Sequence, residues 1–492
     1  MKLKFKHEDR IIFLVFLIMI LVFNFPILNV PYHWDVLTYV IHNGVWYSYH
    51  SFLSAPQTGT IDFHGTARMP FFFWILGLAY RIFGISLVVS HLIVLIFSFI
   101  GVYFTYLLGS ELHNKKTGII AALLLFFSPL YFAQTGTLNL MIPFTALCVT
   151  TLYFFFKGNF KLFLLNAIFL VLTAEPGVVL IISLIIFTLI QKPKKYKLKN
   201  IFICIIPILL AIFWSLFYYM FTQAPPDEIL CYEYTLCSTE ILFNTLFRHL
   251  NTLLFFQFNF IISFFILVCS IKMIVKSNKK TSLKNLTKSN FFPIIIFMFL
   301  YFLLFSFCFS TLIRHMLPLF PLFFIFGSMS LTKIFTKNIS LIIVIVLITS
   351  LFVSNWYTHR TTSAGHILES NLEYLDIIDI YSQAAKYIEA NFANSTILTV
   401  WPHDNELAFP YLGYVEKSIK VITIERGVNA NNIFVETKVN KVDLQNVDLI
   451  YYSPNTYIYS EKLKEIMGTL NLTLLKRFEK NGKYAEIYKI NH

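Results

Sequence analysis

The chain is dominated by apolar runs, most of them long enough to cross a bilayer as a helix. A spanning helix needs about 20 mostly apolar residues. The candidate spans lie at about 11–30, 86–109, 118–133, 140–156, 161–174, 176–191, 200–221, 251–275, 291–309, 312–331 and 339–355. Only 13% of the residues are charged, against about 25% in soluble domains. The sequence therefore predicts a mostly α-helical polytopic membrane protein with about eleven transmembrane helices.

Lysine is distributed unevenly between the loops, which predicts how the helices are oriented. With the N-terminus inside, every loop predicted to be cytoplasmic carries lysine: Lys115 and Lys116, Lys157, the cluster at 192–199, the cluster at 276–288, Lys333 and Lys337. The opposite loops, at 31–68, 134–139, about 175, 222–250 and 310–311, contain little more than Arg68 and Arg248. This positive-inside pattern predicts a multi-pass protein of the plasma membrane, most simply a bacterial inner membrane. It also explains the net charge of +13 without a nucleic-acid partner.

The first apolar run resembles a signal peptide, because lysines precede it. It continues to Val30 without a small-residue cleavage site, so we expect an uncleaved first helix. Residues 69–84 are apolar but short and carry Arg81. We expect them to form a helix at the membrane interface.

The composition changes after residue 355, which divides the chain into a membrane domain (1–355, with an outer loop at 31–70) and an extracytoplasmic α/β domain (356–492). Helical spacing at 371–392 and 460–470 alternates with β-rich runs at 397–401, 420–424, 447–453, 473–478 and 484–490. Asn481-Gly482 predicts a hairpin turn. The sequence has no glycine-rich phosphate loop, which argues against a nucleotide-binding domain.

Polar residues gather at the predicted outer ends of the spans. Asp35 follows the first span directly, where a carboxylate is costly unless it has a role. The other members of this group are His64, Arg68, Asn139, Glu175, Arg314 and His315. Any one of them could be an ordinary interfacial residue, but together they indicate a site on the outer face.

Several segments resemble the polyprenyl-phosphate-sugar glycosyltransferases of the C-type fold, which include the protein O-mannosyltransferases and the aminoarabinose transferases. Trp34-Asp35-Val36 occupies the place of the family's Asp-Glu pair, and the stretch from His64 to Trp74 resembles its His-Pro-Pro turn and aromatic helix. Similar outer turns occur at 128–143 and at Glu175-Pro176-Gly177. Arg314-His315-Met316-Leu317-Pro318 resembles the late Arg-Leu-Pro motif.

The resemblance implies transfer of a sugar from a polyprenyl-phosphate donor to an extracytoplasmic lipid, glycan or protein hydroxyl, with inversion at the anomeric carbon. Asp35 would be the general base. Arg314, with Arg68 and His315, would stabilise the leaving phosphate. Asp35 and Arg314 should then face each other across a lipid-accessible cavity. The residues expected to contact substrate are Tyr32, Trp34, Asp62, His64, Asn139 and Glu175.

Three residues depart from the family pattern and keep alternatives open. Val36 stands where a second acid often follows, Asn139 where many members have Asp, and Glu175 where the aminoarabinose transferases have Lys. Asp62 is a possible second carboxylate if a divalent ion is held, although we expect no cofactor. A lipid-linked-sugar transporter or an inactive binding protein remains possible.

The same candidate residues also have structural explanations. Asp35 could cap a helix, and Glu175 could simply begin one. His64 and Arg68 could extend to the lipid headgroups, and Arg314 could pair with a lipid phosphate without catalysis.

Two further groups of residues have less specific interpretations. Cys231 and Cys237 share one polar loop and could form a disulfide if it faces an oxidising exterior. The other four cysteines lie within apolar runs. His403-Asp404-Asn405-Glu406 could bind a metal, but we expect a polar turn instead.

The predicted orientation can be tested with single cysteines on a cysteine-free background. A membrane-impermeant maleimide should label Lys417→Cys in intact spheroplasts and Lys194→Cys only after permeabilisation, because these residues lie on opposite sides in the predicted topology. The reverse order of labelling would contradict the orientation.

Overall fold

The computed structural model describes residues 7–37, 39–54, 69–190, 198–222, 239–276, 289–307, 312–357, 369–423, 426–428, 434–436, 444–454 and 460–491. Helices dominate the first 354 residues. These helices are α1 (His7–Asn24), α2 (Val40–Tyr49), α3 (Phe71–Phe83), α4 (Leu87–Leu112), α5 (Lys115–Phe127), α6 (Pro129–Thr135), α7 (Met141–Phe156), α8 (Phe160–Val171), α9 (Gly177–Ile190), α10 (Leu198–Thr222), α11 (Thr239–Leu254), α12 (Asn259–Lys276), α13 (Phe291–Phe307), α14 (Phe320–Ile334) and α15 (Asn338–Ser354).

The membrane-protein architecture predicted from the sequence is confirmed, but the number of spans stays a prediction. Among the described residues, five helices are long and apolar enough to cross a membrane, or six if α5 and α6 form one bent span. Six further apolar helices are shorter. On the long and the short apolar helices, exposed side chains are often large and apolar, for example Leu209 and Phe213 on α10, as expected for surfaces in contact with lipid.

Two segments differ from the sequence-based expectation. The run predicted as one span at 118–133 bends by 66° between α5 and α6, where Pro129 occupies the first turn of α6 and lacks the N–H that would continue α5. Residues 222–250 were expected to form an outer loop, but α11 begins at Thr239. Because one face of this helix is polar, the pattern of apolar runs does not predict it.

The polar stretch after the first span also contains a ten-residue helix, α2, which packs against α3. The guanidinium of Arg81 on α3 donates hydrogen bonds to the carbonyl oxygens of Tyr47 (2.8 Å) and Ser48 (3.0 Å) at the end of α2. A cation is favourable there, because the last carbonyls of a helix lack partners within it. Arg81 therefore joins α2 and α3, whereas the position of α3 at the membrane interface stays a prediction.

The described residues between 374 and 491, called the sheet domain below, contain a five-stranded sheet, which confirms the predicted α/β character. Its strands are β1 (Ile397–Thr399), β2 (Val421–Thr423), β5 (Leu449–Tyr452), β6 (Leu472–Lys480) and β7 (Lys483–Ile490), and β3 (Arg426–Val428) pairs separately with β4 (Phe434–Glu436). The sheet order is β2-β1-β5-β7-β6, with β2, β1 and β5 parallel. Helices α16 (Tyr374–Phe392), α17 (His403–Ala408) and α18 (Ser460–Met467) accompany the sheet. Asn481 and Gly482 adopt positive φ angles in the predicted hairpin turn between β6 and β7, as a two-residue turn requires.

Residues 369–373, called the connector below, join the sheet to the membrane helices. The Leu372 N–H donates to the Trp356 carbonyl oxygen (2.8 Å) just after α15. Glu373 and Lys483 of β7 form a buried ion pair of 2.7 Å. The hairpin is therefore anchored at the point where the chain leaves the membrane region. The domain boundary at 355/356 itself stays a prediction.

Close backbone packing between α4 and α5 gives a stability prediction. A Cβ atom at Gly118 would lie 2.2 Å from the Tyr106 carbonyl oxygen and 2.3 Å from Ser110 Oγ. Because these contacts are far too short, Gly118→Ala should lower the free energy of unfolding by about 1–3 kcal/mol. Thermal unfolding in detergent would measure this as a lower Tm. Gly468→Ala is the control, since its Cβ would meet no atom closer than 3.3 Å; equal effects of the two variants would contradict the packing.

Candidate functional site

The turn before α2 has a strained backbone. Trp34 adopts φ of 57°, a left-handed conformation that is rare and costly for a bulky residue. Its ring packs edge-on against Trp401 of the C-terminal sheet domain, with 5.2 Å between ring centroids. The packed ring holds the turn in place and positions the next residue, Asp35, at the start of a short 3-10 helix, Trp34–Leu37.

Arg314 lies between two carboxylates. It belongs to a 3-10 helix, Ile313–Leu319, that leads into α14. Its Nη2 donates to Asp35 Oδ2 and its Nη1 donates to Glu369 Oε2. The exposed fraction is 3% for the Arg314 side chain, 7% for Glu369 and 30% for Asp35. The three side chains therefore form a buried acid–arginine–acid cluster that opens on the side of Asp35.

The electrostatics of the cluster are set by burial and by its one guanidinium. Burial raises the pKa of the Glu369 carboxyl, while the positive charge of Arg314 opposes that rise. Charged groups so poorly solvated remain ionised only when they are paired. Asp35 and Glu369 share the guanidinium of Arg314. Loss or replacement of one carboxylate should therefore also alter the interaction of Arg314 with the other.

His33 lies beside this cluster and is uncharged. Burial lowers the pKa of His33 to about 3; the negative charge of Asp35 opposes this shift and the positive charge of Arg314 adds to it. Neither ring nitrogen has a hydrogen-bond partner among the residues described. The ring stacks on Tyr374, with centroids 5.9 Å apart. The imidazole therefore contributes no positive charge near Asp35 at neutral pH.

Residues of the sheet domain contact the backbone on both sides of Asp35. Asn405 Nδ2 donates to the Leu37 carbonyl oxygen (3.2 Å), and the Tyr414 hydroxyl donates to the Tyr32 carbonyl oxygen (2.7 Å). Trp401, which packs on Trp34, follows β1 closely. Loops at the carboxyl ends of parallel strands often line ligand sites, and here one such loop lies against the turn that carries Asp35.

The other residues predicted to form the site lie in several places. Some make contacts that have a structural explanation, and some lie outside the described residues. The Tyr32 hydroxyl shares a hydrogen bond of 2.6 Å with Ser90 Oγ. Asn139 is buried, and its Oδ1 accepts from the Met141 N–H (3.2 Å) at the start of α7. His315 packs near Phe305, at 5.1 Å between centroids, and Glu175 precedes α9. Asp62, His64, Arg68, Cys231 and Cys237 lie outside the described residues.

Glu369 and Trp401 were not predicted as site residues from the sequence, and Asn405 was predicted only as part of a polar turn. Each lies in a polar or mixed segment of the C-terminal part. Polar and aromatic side chains are common in such segments, so the sequence pattern does not distinguish these three residues. The segment at His403 differs from the polar turn expected there. It forms α17, and His403 Nδ1 and Glu406 Oε2, both fully buried, lie 2.8 Å apart. Within the described part of the chain, no group of three or more His, Cys, Asp or Glu side chains is placed to hold a metal ion.

Asp35 and Arg314 are closer together than we expected. The sequence predicted a cavity between them, whereas the structure brings them into direct contact. A separate open cleft of about 500 Å³ lies at the C-terminal end of α2, lined by Ser48, Tyr49, Tyr80, Arg81, Gly84 and Ile85. The reason for the difference is electrostatic, because a buried guanidinium gains most from direct pairing.

Comparison with known proteins agrees with the resemblance inferred from the sequence. The pattern of the family described as dolichyl-phosphate-mannose-protein mannosyltransferase matches residues 67–220. The structure of ArnT from Cupriavidus metallidurans bound to undecaprenyl phosphate is similar at a TM-score of 0.61 and 12% identity, covering 96% of this chain and 97% of ArnT.

Two other proteins extend the comparison. The oligosaccharyltransferase AglB from Archaeoglobus fulgidus, in complex with an inhibitory peptide and a dolichol-phosphate, matches at a TM-score of 0.51 and 12% identity, covering 98% of this chain and 74% of AglB. An uncharacterised protein of Aquifex aeolicus (strain VF5) is 26% identical over 356 residues, covering 65% of this chain and 67% of the relative. The chain thus has the C-type glycosyltransferase fold.

The neutral state of His33 predicts a pH effect on stability. Below about pH 6.5 the unfolded chain takes up a proton on this histidine, but the folded chain does not until about pH 3. Stability is therefore lost as the pH falls through this window. Between about pH 7 and 4.5, the free energy of unfolding of His33→Phe should fall by about 2–3 kcal/mol less than that of the unmodified protein.

Denaturant unfolding at the two pH values would measure the difference. His7→Phe is the control, since His7 is exposed and its replacement should leave the pH dependence unchanged. Equal losses in His33→Phe and the unmodified protein would contradict the buried neutral imidazole.

Proposed function

We propose that this protein is an integral membrane glycosyltransferase that moves a sugar from a polyprenyl-phosphate donor to an acceptor hydroxyl outside the cytoplasm. The observation that supports this most directly is the contact between Asp35 and Arg314 within a C-type glycosyltransferase fold. A carboxylate and a guanidinium are the two groups that such a transfer needs, one for the acceptor proton and one for the leaving phosphate.

In the proposed reaction, the acceptor oxygen attacks the anomeric carbon of the donor sugar. A new C–O bond forms while the bond from the anomeric carbon to the phosphate oxygen breaks, and the electron pair leaves with the phosphate. Asp35 takes the hydroxyl proton, which contributes about 10²–10⁴-fold to the rate. Arg314 stabilises the negative charge on the departing phosphate. Attack opposite the leaving group inverts the anomeric configuration.

The donor assignment is supported by lipids bound to proteins of the same fold. The similar ArnT structure contains undecaprenyl phosphate, and the similar AglB structure contains a dolichol-phosphate. A donor with a membrane-embedded tail also fits a site at the outer ends of α1 and α14. We place the protein in the plasma membrane with the sheet domain outside.

The acceptor is a lipid, a glycan or a protein hydroxyl. The loop with Trp401 and Asn405 packs on the turn that carries Asp35. An acceptor that reaches Asp35 from the outer side would pass this loop. The sheet domain would therefore help to select the acceptor.

Replacing Asp35 tests the proposed base. Asp35→Asn should retain normal expression and folding but lower transfer by about 10²–10⁴-fold, because the amide cannot accept the proton. The assay mixes the purified protein with polyprenyl-phosphate sugars and acceptors, extracted together from membranes of the source cells, and follows the release of undecaprenyl phosphate by mass spectrometry.

Asp379→Asn serves as the control, since it also removes a carboxylate, but from an exposed ion pair with Lys480, and it should leave the rate unchanged. If Asp35→Asn released undecaprenyl phosphate as fast as the unmodified protein, Asp35 would not be the base. A product of retained configuration would exclude the single-displacement mechanism.

A further inference from the structure

The guanidinium of Arg314 presents different edges to its two carboxylates. Its Nη1 faces Glu369, and its Nη2 faces Asp35. In a planar guanidinium the N–H of Nε points alongside one N–H of Nη2, and this pair binds two oxygens of a carboxylate or phosphate together. The Nε of Arg314 is buried and has no hydrogen-bond partner among the described residues. Asp35 therefore uses only half of an edge that suits a phosphate.

The backbone that carries Glu369 is held on both sides. The Glu369 carbonyl oxygen accepts from Gln134 Nε2 (2.9 Å) of α6, and the Ser370 carbonyl oxygen accepts from Gln257 Nε2 (2.7 Å). Gln257 itself adopts φ of 50°, a strained conformation for a residue other than glycine. These two amides fix the position from which Glu369 reaches Arg314.

The sheet domain holds the same segment from the other end. Glu373 pairs with Lys483 of the β6–β7 hairpin at 2.7 Å, and both side chains are buried. The Glu373 N–H also donates to Asn371 Oδ1 (3.0 Å). Glu369 is thus clamped between the membrane helices and the sheet, whereas Asp35 is the more exposed member of the cluster.

We propose that Glu369 is a positioning residue that fixes Arg314 through Nη1, while Asp35 and the donor phosphate exchange at the edge formed by Nε and Nη2. This inference rests on the proposed function. A phosphate that pairs with both Nε and Nη2 replaces Asp35 there and frees its carboxylate for the acceptor proton. Donor binding and release of the base then become one event.

The two carboxylates should consequently have opposite effects on phosphate binding. Asp35 competes with the phosphate for Nη2, so Asp35→Asn should tighten binding about tenfold. Glu369 keeps Nη1 occupied; without it, both terminal nitrogens can turn to Asp35 in a paired contact. Glu369→Gln should therefore weaken binding about tenfold, although it removes a negative charge from the site.

The test is a double-mutant cycle of undecaprenyl phosphate binding to the full-length chain in nanodiscs, measured by native mass spectrometry. The four proteins are the unmodified chain, Asp35→Asn, Glu369→Gln and the double variant. The double variant should recover binding relative to Glu369→Gln alone, because the competing carboxylate is gone. Asp379→Asn should not change the affinity.

The outcomes separate positioning from simple charge and from loss of structure. Tightening by both single variants would mean that only the net charge matters, and it would overturn the inference. Weaker undecaprenyl phosphate binding in both single variants, with additive effects in the double variant, would also overturn the inference. Absence of undecaprenyl phosphate binding by the unmodified chain would count against the proposed function itself.

A further variant covers the case in which Glu369→Gln does not fold. Glu369→Asp keeps the charge but is one methylene shorter, so it cannot reach Nη1 from the clamped backbone. It should weaken binding with little change in Tm. Unchanged affinity in Glu369→Asp would contradict the positioning role.

Discussion

The buried pairing of Arg314 with Asp35 and Glu369 is the interaction on which the site depends. A guanidinium with 3% exposure is tolerable only with anionic partners, because removal of either charge from water is costly without pairing. The partners come from three distant parts of the chain: the turn after α1, the helix before α14 and the connector after α15. Each part of the fold that brings them together therefore also shapes the site.

Two residues with a left-handed backbone lie close to this cluster. Trp34 precedes Asp35 and has a left-handed backbone, and Gln257, which holds the Glu369 segment, has one as well. Such conformations persist where the surrounding contacts determine them, and they are common at functional sites. Here the packing of Trp34 on Trp401 and the hydrogen bond from Gln257 to Ser370 supply those contacts. The sheet domain is therefore part of the site and not only an appendage of the membrane helices.

The sequence predicted the fold better than it predicted the site. Apolar runs identify membrane helices directly, because no soluble alternative can bury so much hydrophobic surface. Polar helices such as α2 and α11 carry no such signal, and the bend at Pro129 cannot be read from hydropathy. The sequence singles out Asp35 and Arg314 as candidates because a charge beside an apolar span is unusual. Glu369 lies in a polar segment, so its role depends entirely on a contact across 55 residues with Arg314, which only the three-dimensional structure reveals.

In the proposed reaction, Arg314 receives the phosphate of a polyprenyl-phosphate donor next to Asp35. A structure of the protein determined by cryo-electron microscopy with undecaprenyl phosphate tests this most directly. We expect phosphate density within hydrogen-bonding distance of Arg314 Nε and Nη2, at about 2.7–2.9 Å. Asp35 should be turned away from the guanidinium, and Glu369 should still be in contact with it. Phosphate density remote from Arg314, with the Asp35–Arg314 pair intact, would contradict it.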